Sequence, residues 1–268
     1  MTPRIGYLAM LCNDATELAR FYRTQFGMDE LDRSVTGDVS LTDGSFNLTL
    51  FRRRPELREP HMDLGLHHLG IAVDDVNAIV ARYKAHYPRG TVVAEAGDLQ
   101  HGEVRIFDPE CNPVSLSQRN FGLPGPAQSR TPHIAHIALN ALNTESILEF
   151  YQTMFGFREL FAAHKHRTEA GYRNKHVGDG FTNVAIQAFY NDDEGHEARF
   201  GVAHFGFLVQ NSSVTAEEVV RAGAIVKPRP AIRTQSEARM RDPEGNGCDL
   251  SQRGWEVDTG KWARAAAS

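Results

Sequence analysis

Residues 103–119 read EVRIFDPECNPVSLSQR, and residues 237–253 read EARMRDPEGNGCDLSQR. The DPE triplet, the Asn two positions beyond it and the closing LSQR coincide, so this stretch is written twice. Working outward, LHHLGIAV (66–73) is matched by VAHFGFLV (202–209), and LARFYRTQFGM (18–28) by ILEFYQTMFGF (147–157). Three blocks in the same order indicate a tandem duplication. Between the copies lies FGLPGPAQSRTP (121–132), with the Pro, Gly and Ser of a domain connection. The reading predicts an N-terminal domain over 1–121 and a C-terminal domain over 132–256, with the break near Gly122–Thr131.

Each copy subdivides again. Ile5–Leu11 is an apolar run, followed by the helix-start signal Asn13-Asp14 and by Leu18, Phe21, Tyr22 and Phe26 at helical spacing. Strands follow at Val39–Leu41 and Phe46–Phe51, around the turn Asp43-Gly44. From His68 the order restarts: strand LGIAV, cap Asp74-Asp75, helix Val76–Tyr83, then strands near Val92, Val104–Phe107 and Val114–Leu116. The unit is βαβββ, used twice per domain and four times in the chain. DPECNP and DPEGNG are predicted to join the last two strands of each domain.

Composition narrows the partners. With 268 residues, 41% hydrophobic and 24% charged, the chain can bury a core of ordinary size. A formal net charge of −5 gives no general attraction to phosphate backbones or anionic lipid, so nucleic acid and membrane surfaces are not expected as partners. The N-terminus lacks the features of a signal peptide, and no apolar run is long enough to span a membrane. Cys12, Cys111 and Cys248 are far apart and form no CxxC pair, which argues against a disulfide framework or thiolate zinc site and fits a reducing cytoplasm.

The opening strand with HIAL, the FY…FGF helix end, the HHLGIAV-DD strand-to-helix start and the DPEGN turn resemble the vicinal-oxygen-chelate superfamily. That superfamily includes glyoxalase I, the fosfomycin and bleomycin resistance proteins and the type I extradiol dioxygenases. The resemblance reaches to about Trp255 and implies an α+β fold: four βαβββ units paired into two tandem domains, each a curved mixed sheet enclosing a cavity with helices outside. Two pairs in one chain are most similar to the extradiol dioxygenases, whose metal sits in the C-terminal pair. Carried over by position, the resemblance implies metal ligands His136, His204 and Asp249. The same positions of the N-terminal domain hold Tyr7, His68 and Ser115, a poor divalent-metal site, so the first copy reads as degenerate.

Two imidazoles and a carboxylate leave half of an octahedron open, an arrangement suited to non-heme Fe(II) with a chelating substrate and O2. Mn2+, Zn2+ and Ni2+ are the alternatives. The family's carboxylate is normally Glu, and Asp249 is one methylene shorter. Extradiol enzymes also carry an acid–base His before the last unit and a Tyr before the final turn. The corresponding strand, Asn183–Phe189, has no His, and Arg239 stands where the Tyr would be, a residue suited to an anionic substrate. Arg239 is therefore a candidate catalytic residue. So are His176 and His196, which flank TNVAIQAFY and are placed to overhang the cavity.

Each residue also has a plainer reading. A lone strand histidine is more often a hydrogen-bonded structural residue, and a lone strand Asp an edge carboxylate; only the coincidence of three ligand types in one copy favours a metal. His164 and His166 read as a solvated loop. Phe21, Tyr22, Phe150 and Tyr151 read as helix core, and Cys248 as a core residue facing away from Asp249. Asp242, Glu244 and Asn246 read as turn chemistry.

The leading expectation is a cytoplasmic, metal-dependent dioxygenase of aromatic-compound catabolism. It would act with O2 on a small aromatic or enediol substrate that chelates the metal through adjacent oxygens, and a homo-oligomer is compatible with the resemblance. The alternatives are a glyoxalase-like isomerase or lyase working without O2, and a non-catalytic, ligand-sequestering protein of the bleomycin-resistance kind.

Overall fold

Strand β1 (Arg4–Cys12) is bonded along both edges, parallel to β4 (Asn47–Arg52) and antiparallel to β5 (Gly65–Ala72). Such a central strand has both faces covered, which is why its sequence is a nearly unbroken apolar run. The computed structural model describes residues 2–54, 64–98, 100–123, 131–160, 174–188, 200–228 and 236–255. The predicted break near Gly122–Thr131 falls largely outside them.

The first unit continues from β1 through α1 (Ala15–Phe26), β2 (Asp29–Arg33) and β3 (Val39–Thr42) to β4. The second runs from β5 through α2 (Val76–His86), β6 (Val93–Ala94) and β7 (Val104–Phe107) to β8 (Pro113–Ser117). The third comprises β9 (His133–Ala141), α3 (Thr144–Phe155), β10 (Arg158–Glu159), β11 (Lys175–Gly178) and β12 (Asn183–Ala188). The fourth comprises β13 (Gly201–Leu208), α4 (Ser212–Arg221), β14 (Ile225–Pro228), β15 (Ala238–Arg241) and β16 (Gly247–Ser251). The βαβββ order therefore recurs four times, as the repeat implies.

Two eight-stranded mixed sheets result, ordered β2-β3-β4-β1-β5-β8-β7-β6 and β10-β11-β12-β9-β13-β16-β15-β14. Each is open and joins its two units where their first strands meet, β1 with β5 and β9 with β13. This places the first strands of paired units side by side and brings the last strand parallel to one of them, β16 against β13. Positions distant in sequence so converge on one face. No helix among the described residues is long and apolar enough to cross a membrane.

The repeated helix ends have a local cause. Asp14 caps α1 by accepting from the N–H groups of Thr16 and Glu17, and Asn143 caps α3 by accepting from Ser146. Gly27 and Gly156 end the same helices in the left-handed region, at φ 62° and 69°. A side chain would find open space at both, so the glycines are required by backbone conformation rather than crowding.

One continuous core runs through both copies. Phe26 of α1 stacks on Phe207 of β13 at 4.0 Å, and Tyr22 lies 6.0 Å from Phe205. Phe21, Phe150 and Tyr151 are buried in this core, as expected of helix packing residues, and Cys248 joins it from the face opposite Asp249. The turns complete the junction reciprocally. Glu244 accepts from the backbone N–H groups of Asn13 and Asp14 at 2.7 and 2.8 Å, while Glu110 accepts from Leu142 and Asn143 at 2.9 and 2.6 Å. Asp179 takes the N–H of Ile5 at 2.6 Å, and Asp43 takes that of Ile134 at 2.7 Å. Within its own turn Asp242 accepts from Glu244 and Asn246, so the DPEGN motif is structural.

Candidate metal centre

His136 lies on β9, His204 on β13 and Asp249 on β16, adjacent strands of the second sheet. The register sets Gly206 opposite both His136 and Asp249, so strand pairing alone gathers the three side chains. One ligand atom from each lies within 4.8 Å of the others, and all three residues are buried. Among the described residues this is the cluster of His, Cys, Asp or Glu able to hold a metal ion.

The hydrogen bonds fix the imidazole tautomers. His136 Nδ1 is 3.0 Å from Asn183 Oδ1, its register neighbour on β12. An amide oxygen only accepts, so Nδ1 carries the proton and Nε2 keeps its lone pair. The same oxygen takes His176 Nδ1 at 3.4 Å, which ties His176 of β11 to the centre through one shared acceptor. His204 Nε2 lies 2.9 Å from Arg239 Nη2. Guanidinium is donor-only, so His204 Nε2 accepts and the ring is neutral, the state a metal ligand requires. Its separation from Asp249 Oδ2, 3.5 Å, is then a close approach of two lone-pair atoms rather than a bond.

Burial, with His204 nearby, holds the His136 pKa well below the usual histidine range. Burial alone would raise the Asp249 carboxyl, but the Arg239 guanidinium, bonded to both its oxygens, outweighs it and holds it well below the usual carboxylate range. The donors are thus two neutral imidazoles and one carboxylate, and the set fits a divalent ion. Arg239, opposite Asp249 in the β15–β16 register, is bound into the set as well. Its Nε donates to Asp249 Oδ1 at 2.6 Å and its Nη2 to Oδ2 at 3.1 Å.

Two residues of the centre had escaped the sequence reading. Asn183 matches Asn47 at the start of the equivalent strand, a repeated signal that could have drawn attention to it. Trp255 lies two positions beyond the repeated LSQR, where the first copy has Phe121. Its indole stacks on His136, and a Cβ at Gly206 would overlap it. The absent side chain of Gly206 is what admits the indole.

The first copy shows the same frame without the ligands. Tyr7 donates to the carbonyl of Gln100 at 2.7 Å and stacks on Phe121 at 4.5 Å. Ser115 donates to Glu95 at 2.6 Å, and Glu95 is paired with Arg105. His68 is buried, and burial with the nearby Arg105 holds its pKa well below the usual value. Aromatic packing and an internal ion pair fill this face. An open cleft lined by Tyr83, Tyr87, Arg89, Phe107 and Cys111 shares no residue with either frame. His196, His164 and His166 lie outside the described residues.

Comparison with known proteins agrees with this architecture. No curated protein matches the chain. The solved structures similar in fold include the 2,3-dioxygenase LapB from Pseudomonas sp. KL28, at 15% identity and TM-score 0.66, covering 92% of this chain and 91% of that one. The Mn(II)-bound glyoxalase from Novosphingobium aromaticivorans follows at 15% identity and TM-score 0.64, covering 95% and 84%. A mutant of 4-hydroxymandelate synthase from Streptomyces coelicolor follows at 15% identity and TM-score 0.61, covering 97% and 99%. Residues 4–116 and 133–250 each match one sequence family. The chain belongs to the Glyoxalase/Bleomycin resistance protein/Dioxygenase superfamily.

Proposed function

We propose that the protein is a metal-dependent dioxygenase whose C-terminal domain, 132–256, carries the active centre and whose N-terminal domain, 1–121, is its structural partner. The observation that carries this reading is the buried His136, His204 and Asp249 set in one copy, against Tyr7, His68 and Ser115 in the other. Fe(II) is the metal the donor set suits best, with Mn2+, Zn2+ and Ni2+ as alternatives. When bound, it would supply Lewis acidity toward two adjacent substrate oxygens and redox activity toward O2.

The chain's own residues supply the rest. Asn183 holds the proton of His136 on Nδ1 and so directs Nε2 toward the other ligands. Trp255 fixes the plane of the same ring. Arg239 adds a permanent positive charge, so a centre loaded with a divalent ion favours an anionic substrate, a small aromatic or enediol that is ionised or carries a carboxylate. His176, tied through Nδ1 to the same Asn183 oxygen, is the first candidate to take a proton from such a substrate. His196 is the second candidate for that role.

A glyoxalase-like isomerase or lyase is the second reading. It is favoured by Asn183, rather than a His, facing the centre from β12, and by Arg239 in the place of the extradiol Tyr. Protein purified without oxygen, assayed for metal content and then for O2 uptake with a panel of catechols and carboxylated catechols, separates the two. Stoichiometric iron with substrate-dependent O2 uptake supports the dioxygenase. Bound metal with substrate turnover and no O2 uptake moves the assignment to the isomerase or lyase. Protein that takes up no metal leaves the ligand-sequestering alternative.

A further inference from the structure

The guanidinium of Arg239 bonds Asp249 Oδ1, Asp249 Oδ2 and His204 Nε2, at 2.6, 3.1 and 2.9 Å. These are the lone pairs through which Asp249 and His204 would bind a metal. His204 Nε2 has a single lone pair and cannot coordinate while it accepts from the guanidinium, and a dication beside a guanidinium bonded to buried groups adds repulsion. Both cations are therefore not accommodated on these atoms together. We propose that Arg239 is an intramolecular competitor for the metal: its guanidinium occupies the ligand set in the metal-free protein and must leave it for a divalent ion to bind. This inference rests on the metal centre proposed above.

Two further observations support it. First, His204 Nε2 and Asp249 Oδ2, both bonded by Arg239 Nη2, stand 3.5 Å apart, whereas cis donors about 2.1 Å from one ion lie roughly 3 Å apart. Second, the repeat shows what an arginine at this position does when the aspartate is absent. Arg105 holds the equivalent register, opposite Ser115 instead of Asp249, and pairs with Glu95 near the sheet edge. With no carboxylate across from it, Arg105 pairs with Glu95, which itself accepts from Ser115.

Titration of the metal-free, full-length chain with Co2+, followed by its visible absorption bands and by the melting temperature, tests the proposal. R239M keeps much of the packing volume and removes the competing donors. Its Co2+ dissociation constant is expected to fall ten- to a hundredfold, about 1.4 to 2.8 kcal/mol at tenfold per 1.4 kcal/mol. Its metal-free form should melt below the parent, and Co2+ should raise its melting temperature by more. R239M that folds only with Co2+ present also supports the proposal, because the carboxylate then needs one cation or the other. If R239M fails to fold under both conditions, R239K decides. Lysine keeps the charge without the fork, so its dissociation constant must lie below the parent's. A parent that binds Co2+ through His204, beside R239M or R239K variants that bind no tighter, overturns the competition and leaves the metal centre standing. Parent and variants that all bind no Co2+ overturn both.

Discussion

The indole of Trp255 lies on the imidazole of His136 with ring centroids 4.6 Å apart and planes 7° from parallel. His136 is therefore held on one edge by Asn183 and on one face by Trp255. Phe121 stacks on Tyr7 in the first copy in the same manner, so the aromatic cover belongs to the repeat. Both partners of the stack differ between the copies, Phe121 on Tyr7 in one and Trp255 on His136 in the other.

Removing this cover should loosen a ligand and open a void. Trp255→Ala is expected to cost ~3–5 kcal/mol of stability, as for other buried aromatic deletions. Gly206→Ala, which drives a Cβ into the indole, should cost ~1–3 kcal/mol. Trp255→Phe should recover most of the loss. Chemical denaturation measures all three, and a Trp255→Ala protein as stable as the parent would show that the stack contributes nothing.

The ligand assignment predicts unequal consequences for equivalent positions. His136→Ala, His204→Ala and Asp249→Ala should each lower metal content sharply, because three protein donors leave no redundancy. His68→Ala, on the strand equivalent to that of His204, should leave metal content unchanged. Elemental analysis of the four variants is the measurement, and equal metal in the His68 and His204 variants would remove the assignment.

Glu110 and Glu244 each satisfy two backbone N–H groups at the helix start of the other copy. Replacing either with Ala should cost ~1 kcal/mol, the ordinary scale of a lost helix cap. A summed loss near twice that is expected for the double variant, since the two caps share no partner. Thermal unfolding reads this directly. Single variants with unchanged melting temperature would mean that water replaces the carboxylates at no cost.

Asp108 carries a pH dependence whose sign follows from burial. Burial raises its carboxyl pKa from 3.8 to about 6, although Asn112 and the turn N–H groups partly oppose this. The folded state thus holds the proton more tightly than the unfolded chain. The associated stability is fully present below about pH 3.8 and lost as pH rises through about 6. Two units correspond to roughly 3 kcal/mol at 1.36 kcal/mol per unit. Asp108→Asn should flatten the stability profile between pH 4 and 6, and an unchanged slope would refute the shift.

The sequence made the repeat, the junctions and the clustering of His136, His204 and Asp249 legible because each depends on features visible along the chain. Asn13-Asp14 cap signals, FG helix ends and DPE turns are local, and they occur where the structure has helix starts, helix stops and β-turns. The edge strands were less visible. β2, Asp29–Arg33, is DELDR, whose charges suit an exposed edge and hide the alternation that marks a strand. His136, His204 and Asp249 were found by position in the resemblance, whereas Asn183 and Trp255 act through contacts that only the folded register creates. Arg239 was legible as an arginine facing the centre. Its engagement with Asp249 and His204 was not, because spacing along β15 and β16 does not say which partner a long side chain chooses.

The exchanged caps have an evolutionary consequence. Asn13, Asp14, Leu142 and Asn143 draw acceptors from across the duplication, and Phe26 and Phe207 share a stack that neither copy owns. A primordial single copy would have found these acceptors on a second identical chain, so fusion turned a mutual need between molecules into one within a molecule. Excising the first copy would strip the second of the carboxylate that holds the backbone at its first helix start, and bare its aromatic face to water.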